Sequence, residues 1–133
     1  MTEDIIIRNA DMKDLDFIYQ FICKLEGEIP RKEDFESLFR EELENSDSYY
    51  LLAEKDGKPV AFAGMQIHNA LHHTAKIAEV VEMYVLREYR SSGIGEKLYW
   101  QTKDIALEKK CKFIQISCNI VRERAIEFFT DLG

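Results

Sequence analysis

One stretch of this sequence, VVEMYVLREYRSSGIGEKLYW at residues 80–100, constrains the fold more than any other. Its first part is rich in apolar and β-branched residues, which is typical of a central strand. The residues from 96 onward place apolar side chains at Leu98, Ile105 and Ala106 with charges opposite, as an amphipathic helix does. Between the two lies RSSGIG, so the stretch predicts a strand, a glycine-rich loop and a helix N-terminus in succession.

The glycine-rich loop is a candidate anion-binding site. The first N–H groups of a helix lack intrahelical partners, and glycine lets backbone amides approach a ligand closely. A P-loop is excluded because Gly95 is followed by Glu96 rather than by Lys. A dinucleotide-binding fingerprint is excluded because Leu98 stands where it needs a third glycine. The residues alone leave two alternatives, a phosphate-binding loop and a turn that merely needs small residues.

The rest of the chain predicts one domain, residues 1–133, of the α/β or α+β class. Asp56-Gly57 suits a tight hairpin turn, and Asp11 or Asp14 suits the cap of the first helix. The predicted order is β, α, α, β, β, β, α, β, α, with a mostly antiparallel sheet. The strands are IIIR, YYLLAEK, KPVAFAGMQIH, KIAEVVEMYVL and KFIQISCN, and the helices are ADMKDLDFIYQFICKLEGE, EDFESLFREELEN, EKLYWQTKDIALEKKC and RERAIEFFTDLG.

The formal net charge of −7 argues against a binder of nucleic acid or of anionic membranes, because such proteins need a basic surface. The charge is uneven. Residues 1–75 carry 8 Lys+Arg and 16 Asp+Glu, whereas residues 76–133 carry 10 and 9. Any anionic ligand is therefore expected at the C-terminal half.

The N-terminus and the cysteines predict a cytoplasmic protein. MTEDIIIRNA begins with acids where a signal peptide needs basic residues, and no apolar run approaches the roughly 20 residues of a membrane span. The three cysteines lack the CxxC spacing of a metal site and are odd in number, which disfavours a disulfide framework. They are interpreted as buried thiols.

The whole chain resembles the GCN5-related N-acetyltransferase (GNAT) family. Arg90, Gly93 and Gly95 match the family's Arg/Gln-x-x-Gly-x-Gly/Ala loop, IRNADMKDLDFIYQFI resembles its first strand and helix, and NIVRERAIEFF resembles its last helix. The resemblance implies a mixed, mostly antiparallel twisted sheet flanked by helices. Because family members continue beyond the equivalent of FFTDLG, it also implies C-terminal strands that are missing or supplied by a partner, such as the second copy in a homodimer.

A closer likeness is to the aminoalkylphosphonate N-acetyltransferases. It rests on the His-His pair in LHHTAKIAEVVEMYVL and on SCNIVRERAIEFF. It implies a short amine with an anionic group, for which Arg31 and Lys32 are the candidate cations, unless they are simply solvated. A candidate divalent-metal cluster comprises His68, His72 and His73. The favoured interpretation is that they are ordinary histidines of a surface loop.

The resemblance to the GNAT family also implies the roles of residues at the site. Glu82 occupies the place of the general base and Glu79 is the runner-up, the alternative for both being a solvated strand carboxylate. The backbone of Met83, Tyr84 and Val85 is expected along the pantetheine arm, with one N–H aimed at the thioester carbonyl. The residues implied to bind the coenzyme's pyrophosphate and neighbouring groups are Arg90, Ser91, Ser92, Gly93, Ile94, Gly95, Glu96 and Asn119; for Asn119 the alternative is an ordinary strand end.

One residue departs from the family pattern. Many members carry a tyrosine in the last helix that protonates the departing thiolate, and here the matching residue is Phe129. With a thiol pKa near ~8.5 the thiolate is a tolerable leaving group without an acid, and Tyr84 is a candidate substitute.

The resulting hypothesis is an acetyl-CoA-dependent N-acetyltransferase that acts on the primary amine of a small molecule by direct transfer in a ternary complex. Two alternatives remain. One is a catalytically weak acyl-CoA-binding or regulatory module, suggested by Phe129. The other is peptide or protein acetylation, for which the sequence offers no distinct feature.

Overall fold

Six strands form one mixed sheet in the described part of the chain. This computed structural model describes residues 5–26, 29–121 and 124–132; of residues 25, 26, 117–121 and 124–131 it describes the backbone. The strands are β1 Ile5–Asn9, β2 Ser48–Lys55, β3 Lys58–Ala70, β4 Ala75–Val85, β5 Phe113–Val121 and β6 Arg124–Asp131, and the helices are α1 Leu15–Glu26, α2 Lys32–Glu44 and α3 Ile94–Glu108.

The strands lie side by side in sequence order, antiparallel except where β4 meets β5. This confirms the predicted fold class, a mostly antiparallel sheet with flanking helices. The parallel pair is possible because α3 forms the crossover between β4 and β5. None of the helices in the described ranges is long and apolar enough to cross a membrane.

Helices cover both faces of the sheet, and each face has its own core. Leu98 and Ala106 of α3 are fully buried against one face. Ile18 and Phe21 of α1, together with Phe39 of α2, pack on the opposite face. We call these the α3 face and the α1/α2 face. Because neighbouring residues of a strand point to opposite faces, each strand contributes alternate side chains to the two cores.

Two local predictions are confirmed at the turns. Asp56 and Gly57, between β2 and β3, have φ values of 53° and 78°, as a two-residue hairpin turn with two positive φ values requires. Before α1, the Asp11 side chain accepts a hydrogen bond from the Lys13 amide, and Asp14 accepts one from the Asp11 amide. The two acids therefore cap the short 3₁₀ turn Met12–Asp14 that leads into α1.

The prediction of a C-terminal helix is wrong. Residues Arg124–Asp131 form β6, antiparallel to β5, so Phe129 lies in a strand opposite Gln115 and Asn119 lies in β5 opposite Ala125. The apolar spacing of RAIEFFTD suits a helix, but its aromatic and β-branched residues also suit a strand. The outer edge of β5 decides between them, because pairing there satisfies backbone groups that an open edge leaves exposed.

Candidate active site

The site is organised around the point where β4 and β5 part. The two strands pair in parallel from Ile77 opposite Phe113 to Val80 opposite Ile116. Beyond Val80, β4 continues to Val85 alongside β3, while β5 continues alongside β6. Within the described residues no strand pairs with the β5-facing edge of β4 beyond Val80. Where the pairing ends, the β5-facing edge of β4 carries the backbone of Met83, Tyr84 and Val85, and we call the space beside it the cleft between β4 and β5.

The glycine-rich loop closes the C-terminal end of this cleft. Ser91 and Gly93 have φ values of 70° and 89°, and Gly93 is the N-cap of α3. The Lys97 amide makes the first intrahelical bond, to the Gly93 carbonyl at 3.0 Å. The amides of Ile94, Gly95 and Glu96 therefore come before the first intrahelical hydrogen bond. Amides at such a helix N-terminus can donate to a bound anion.

Buried contacts anchor the loop to the sheet. Ile94 is 2% exposed, and a Cβ built on Gly95 would lie 3.7 Å from Val85 Cγ2. Arg90 Nε donates to the Val85 carbonyl at 2.9 Å, and its guanidinium lies over the Tyr84 ring. Ser92 Oγ donates to the Tyr89 carbonyl. The predicted coenzyme-binding residues from Arg90 to Glu96 thus form a short loop and the first residues of α3, shortly after the end of β4.

A β-bulge determines which face carries Glu82. Gly64 of β3 pairs with Glu82, whereas the next residue, Met65, pairs with Val80, so Val81 is an extra residue in β4. Val80 packs on the α3 face before the bulge, and Met83 and Val85 pack there after it. The extra residue therefore moves Glu82 to the α1/α2 face.

Glu82 lines a cavity of about 590 Å³ between the sheet and the first two helices. The walls from α1, α2 and the segment between them are mainly apolar, whereas the sheet contributes polar groups. The lining residues are Ile18, Ile22, Pro30, Phe35, Leu38, Phe39, Glu42, Tyr50, Gln66 and Glu82.

Below the cavity, two neighbouring rows of residues cross β2, β3 and β4 on the α1/α2 face. Ser48, Gln66 and Glu79 form the first row, and Tyr50, Gly64 and Glu82 form the second. Gly64 makes the second row possible, because a Cβ there would lie 2.7 Å from the Tyr50 ring and 3.1 Å from Glu82 Oε1. The missing side chain leaves room for the phenol and the carboxylate.

Glu42 enters the cavity from α2 and is held at the first row. Ser48 Oγ donates to Glu42 Oε1 at 2.5 Å, and Gln66 Nε2 donates to the same oxygen at 3.1 Å. Burial raises the pKa of the Tyr50 hydroxyl well above its ordinary value, and the negative charges of Glu82 and Glu42 raise it further. Tyr50 therefore remains a protonated hydrogen-bond donor at neutral pH.

The other predicted residues lie in varied surroundings. Glu79 is half-buried on the same face as Glu82, and Tyr84 is buried there, its ring stacked on Phe21 at 5.2 Å. Met83 and Val85 are buried on the α3 face, so only their backbone borders the cleft. For Asn119 and Phe129 the structure describes the backbone and not the side chains.

The candidate cations of the acceptor site do not line the cavity. Arg31 Nη atoms lie 3.9 Å from carboxylate oxygens of Glu33 and Asp34. Lys32 Nζ lies 2.5 Å from Asp16 Oδ1. Within the described part of the chain, the lining of this cavity contains two carboxylates and no Lys or Arg.

The three histidines do not form a metal site with the side chains that the structure describes. His68 lies in β3, and His72 and His73 lie in the 3₁₀ turn Leu71–His73 with ring centroids 4.1 Å apart. Among the described residues, no group of three or more His, Cys, Asp or Glu side chains is placed to hold a metal ion.

Sequence reasoning missed four residues: Glu42, Tyr50 and Gln66, which line the cavity, and Gly64, which makes room for Tyr50 and Glu82. Gly64 carried a usable signal, because a glycine inside an apolar strand often marks a close approach or a bulge. The other three had none, since their importance depends on the register of β2 with β3 and on the docking of α2.

Comparison with known proteins identifies the family. The sequence model of the Acetyltransferase (GNAT) family matches residues 15–133. The chain belongs to the GNAT family. This acetyltransferase is 28% identical over 127 residues to an aminoalkylphosphonate N-acetyltransferase of Salmonella typhimurium, covering 96% of the chain and 82% of that relative. It is 30% identical over 129 residues to an uncharacterized N-acetyltransferase of Archaeoglobus fulgidus, covering 92% and 88%.

Solved structures agree on the fold. An aminoglycoside N-acetyltransferase in complex with CoA superimposes with a TM-score of 0.79 at 16% identity, covering 90% of this chain and 80% of that one. A predicted acetyltransferase with acetyl-CoA from Clostridium acetobutylicum superimposes with a TM-score of 0.70 at 20% identity, covering 84% of this chain and 79% of that one. The family membership and its N-acetyltransferase relatives confirm an acetyl-CoA-dependent N-acetyltransferase, with acetyl-CoA as co-substrate.

Proposed function

We propose that this GNAT enzyme acetylates the primary amine of a small molecule by direct transfer from acetyl-CoA, with Glu82 as the general base. The observation that carries the proposal is the position of Glu82. The bulge at Val81 turns it toward the cavity on the α1/α2 face, at the point where β4 leaves β5. A carboxylate there lies between a site for an amine and a site for a thioester.

The amine must lose a proton before it attacks. An alkylammonium has a pKa near ~10.4 and is almost fully protonated at pH 7. Glu82 binds the ammonium and accepts its proton directly or through a water, which leaves a neutral nucleophile. Glu79 is the runner-up base, because it shares the face of Glu82 and lies one row away, opposite Gln66.

The coenzyme lies in the cleft between β4 and β5 in this proposal. The amides of residues 91–96 bind its pyrophosphate, with Arg90 alongside, and Asn119 contacts it from β5. The backbone from Met83 to Val85 runs along the pantetheine arm, and one N–H stabilises the oxyanion that forms when the amine adds to the thioester carbonyl.

The tetrahedral intermediate then expels the CoA thiolate while its nitrogen releases its second proton to solvent, which leaves the neutral acetylated amine. Tyr84 is unsuited to donate a proton by reorientation, because its ring is packed between Phe21 and the Arg90 guanidinium. We therefore propose that the thiolate departs without a tyrosine acid, consistent with Phe129 at the position where many family members carry one.

An aminoalkylphosphonate is the second candidate acceptor. It is favoured by the 28% identical Salmonella typhimurium enzyme of that name. For this acceptor, Arg31 or Lys32 would have to leave its acidic partners and bind the phosphonate, so Arg31→Ala should raise KM for aminoethylphosphonate.

The proposal extends to the surroundings of the enzyme. Residues 1–133 act as one acyltransferase domain in the cytoplasm, where the free thiols Cys23 and Cys111 are stable. A homodimer is proposed because β1 and β6 are the edge strands of the sheet in the described residues, and sheet edges favour pairing.

The test measures CoA thiol release with a panel of primary amines and peptides. Glu82→Gln should retain acetyl-CoA binding and lower kcat by roughly 10²- to 10⁴-fold, the usual effect of losing a general base. Glu108→Gln, an exposed change on α3, is the matched control and should leave kcat unchanged.

Three outcomes would contradict parts of the proposal. If Glu79→Gln lost activity while Glu82→Gln kept it, the base would be Glu79. Binding of acetyl-CoA without turnover on any amine would indicate a regulatory module. Turnover confined to peptides would move the enzyme to the peptide-acetylating class.

A further inference from the structure

The acceptor cavity places two carboxylates at a spacing set by the sheet. Glu82 belongs to the row of Tyr50 and Gly64, and Glu42 is hydrogen-bonded to the adjacent row through Ser48 and Gln66. Neighbouring rows on one face of a sheet are two residues apart along each strand, which is roughly 7 Å. The two carboxylates therefore lie over neighbouring rows whose backbone spacing matches the length of a short alkyl chain.

The position of Glu42 is fixed by its neighbours. Ser48 and Gln66 both donate to Oε1 from strands β2 and β3, so the carboxylate is tied to the sheet as well as to α2. Tyr50 adds a phenol whose pKa reflects burial and the charges of both carboxylates. A group held this way is preorganised for a ligand of opposite charge.

The described lining of the cavity carries acidic groups and contains no Lys or Arg. Two carboxylates, a phenol and an amide face the space, and the remaining lining residues are Pro, Ile, Leu and Phe. The hydrogen bonds to Glu42 come from the neutral groups of Ser48 and Gln66, so a bound cation stabilises its partly buried charge further. The apolar walls, including Ile18, Ile22 and Phe35, suit methylene groups rather than a second polar chain.

We propose that the natural acceptor is a short alkane diamine, whose reacting amine binds at Glu82 while its second ammonium binds at Glu42. The inference rests on the proposed function and names the substrate class of the same site. Glu42 is a specificity residue in this arrangement and takes no part in the proton transfer. Both amines of such a substrate are protonated at pH 7, so the second remains a cation throughout the reaction.

The experiment compares putrescine, n-butylamine and aminoethylphosphonate as acceptors in the CoA-release assay. Putrescine and n-butylamine share the reacting amine and the alkyl chain and differ in the second ammonium. The wild-type enzyme should use putrescine with the highest kcat/KM and aminoethylphosphonate with the lowest. The second ammonium should raise kcat/KM by roughly 10- to 100-fold, the range expected for one charge-assisted contact.

Glu42→Gln tests the contact itself, because it removes the charge and keeps an oxygen for Ser48. It should lower kcat/KM for putrescine by roughly 10- to 100-fold more than for n-butylamine, mainly through KM. Urea denaturation of the variant checks separately that it is folded. Glu41→Gln, the exposed neighbour on α2, is the control and should alter neither substrate.

The outcomes separate this inference from the proposed function. If the wild-type enzyme acetylates n-butylamine as efficiently as putrescine, or if Glu42→Gln impairs both equally, the diamine inference is wrong and the acetyltransferase stands. A preference for aminoethylphosphonate would overturn it in favour of an anionic acceptor. The absence of thiol release with every amine would overturn both proposals.

Discussion

At the scale of single residues, the two glycines of the loop have different physical reasons to be glycine. Gly93 has a φ of 89° and no atom within 4 Å of an added Cβ, so backbone conformation alone constrains it. An added Cβ at Gly95 would make an ordinary 3.7 Å contact with Val85 Cγ2, so the fold itself would accept a small side chain there. The fold alone therefore does not require glycine at 95, whereas a pyrophosphate bound at the amides favours a small residue there.

This difference predicts opposite behaviour of two valine variants. Gly93→Val should lose about 1–2 kcal/mol of unfolding free energy, because a β-branched residue is strained at positive φ. Gly95→Val should have a free energy of unfolding within about 1 kcal/mol of the wild-type value. It should nevertheless bind acetyl-CoA roughly tenfold more weakly or worse, because its methyl groups crowd the pyrophosphate. Denaturant unfolding and calorimetric titration measure the two effects. Wild-type affinity in Gly95→Val would show that the pyrophosphate binds elsewhere.

Single residues also set the limit of sequence-based prediction. Arg90, Gly93 and Gly95 could be assigned because the family loop is a local pattern in consecutive residues. The partners of Tyr50 could not, since the contacts with Gly64 and Glu82 come from strands that the sequence does not pair. Glu82 was predicted through resemblance to the family, and its place on the α1/α2 face follows from the bulge.

At the scale of elements, the bulge in β4 shows what periodicity misses. The stretch KIAEVVEMYVL predicts one regular strand, in which Val80 and Glu82 would share a face. A one-residue irregularity leaves the apolar content unchanged and reverses the face of every later residue. The strand itself was predictable from its composition, whereas the orientation of its carboxylate depends on pairing with β3.

The C-terminal segment illustrates a second limit at this scale. RAIEFFTD satisfies a helical spacing and a strand composition at once, so local preferences cannot decide between them. Its pairing with β5, for example Ile116 with Phe128, depends on an edge formed by residues before it in sequence. The helix prediction was wrong because it weighed spacing within the segment and ignored that edge.

An ion-pair cluster ties β1, β2 and the start of α1 together and carries a stability prediction. Arg8 donates from Nη1 and Nη2 to both oxygens of Asp14 at 2.9 and 2.8 Å, and its Nε donates to Glu54 at 2.9 Å. Burial alone would raise the pKa of Asp14, but the hydrogen bonds from Arg8 and from the Asp11 amide lower it below its ordinary value. Asp14→Asn should therefore cost roughly 1.5–3 kcal/mol of unfolding free energy at pH 7.

The cost of Asp14→Asn should depend on pH in a defined direction. Because the folded pKa of Asp14 is lowered, its stabilisation is fully present above the unfolded value near ~3.9 and is lost as pH falls through the folded value. Urea denaturation of the wild type and the variant at pH 7, 4 and below should show curves that converge on acidification. A difference that stays constant down to low pH would mean that the ionised carboxylate is not the source of the stabilisation.

At the scale of the whole molecule, the sites proposed for the two substrates lie at different parts of the sheet. The glycine-rich loop and α3 lie at the cleft between β4 and β5, whereas the acceptor cavity lies between the sheet and helices α1 and α2. The charge follows the same division, since the acidic N-terminal half supplies Glu42 and the less acidic C-terminal half supplies Arg90 and the loop amides. An anionic coenzyme and a cationic amine can therefore approach different surfaces of the molecule and meet at Glu82.

This arrangement predicts sequential kinetics without an acetylated enzyme. Both substrates can be bound at once, and the cysteines whose side chains are described, Cys23 and Cys111, do not line the acceptor cavity. Burial also raises the pKa of Cys111, which disfavours a reactive thiolate there. Initial rates with acetyl-CoA and the amine both varied should give intersecting double-reciprocal lines, and the enzyme incubated with acetyl-CoA alone should keep its mass. Parallel lines, as in a ping-pong reaction, together with an acetylated cysteine would replace direct transfer by a covalent route.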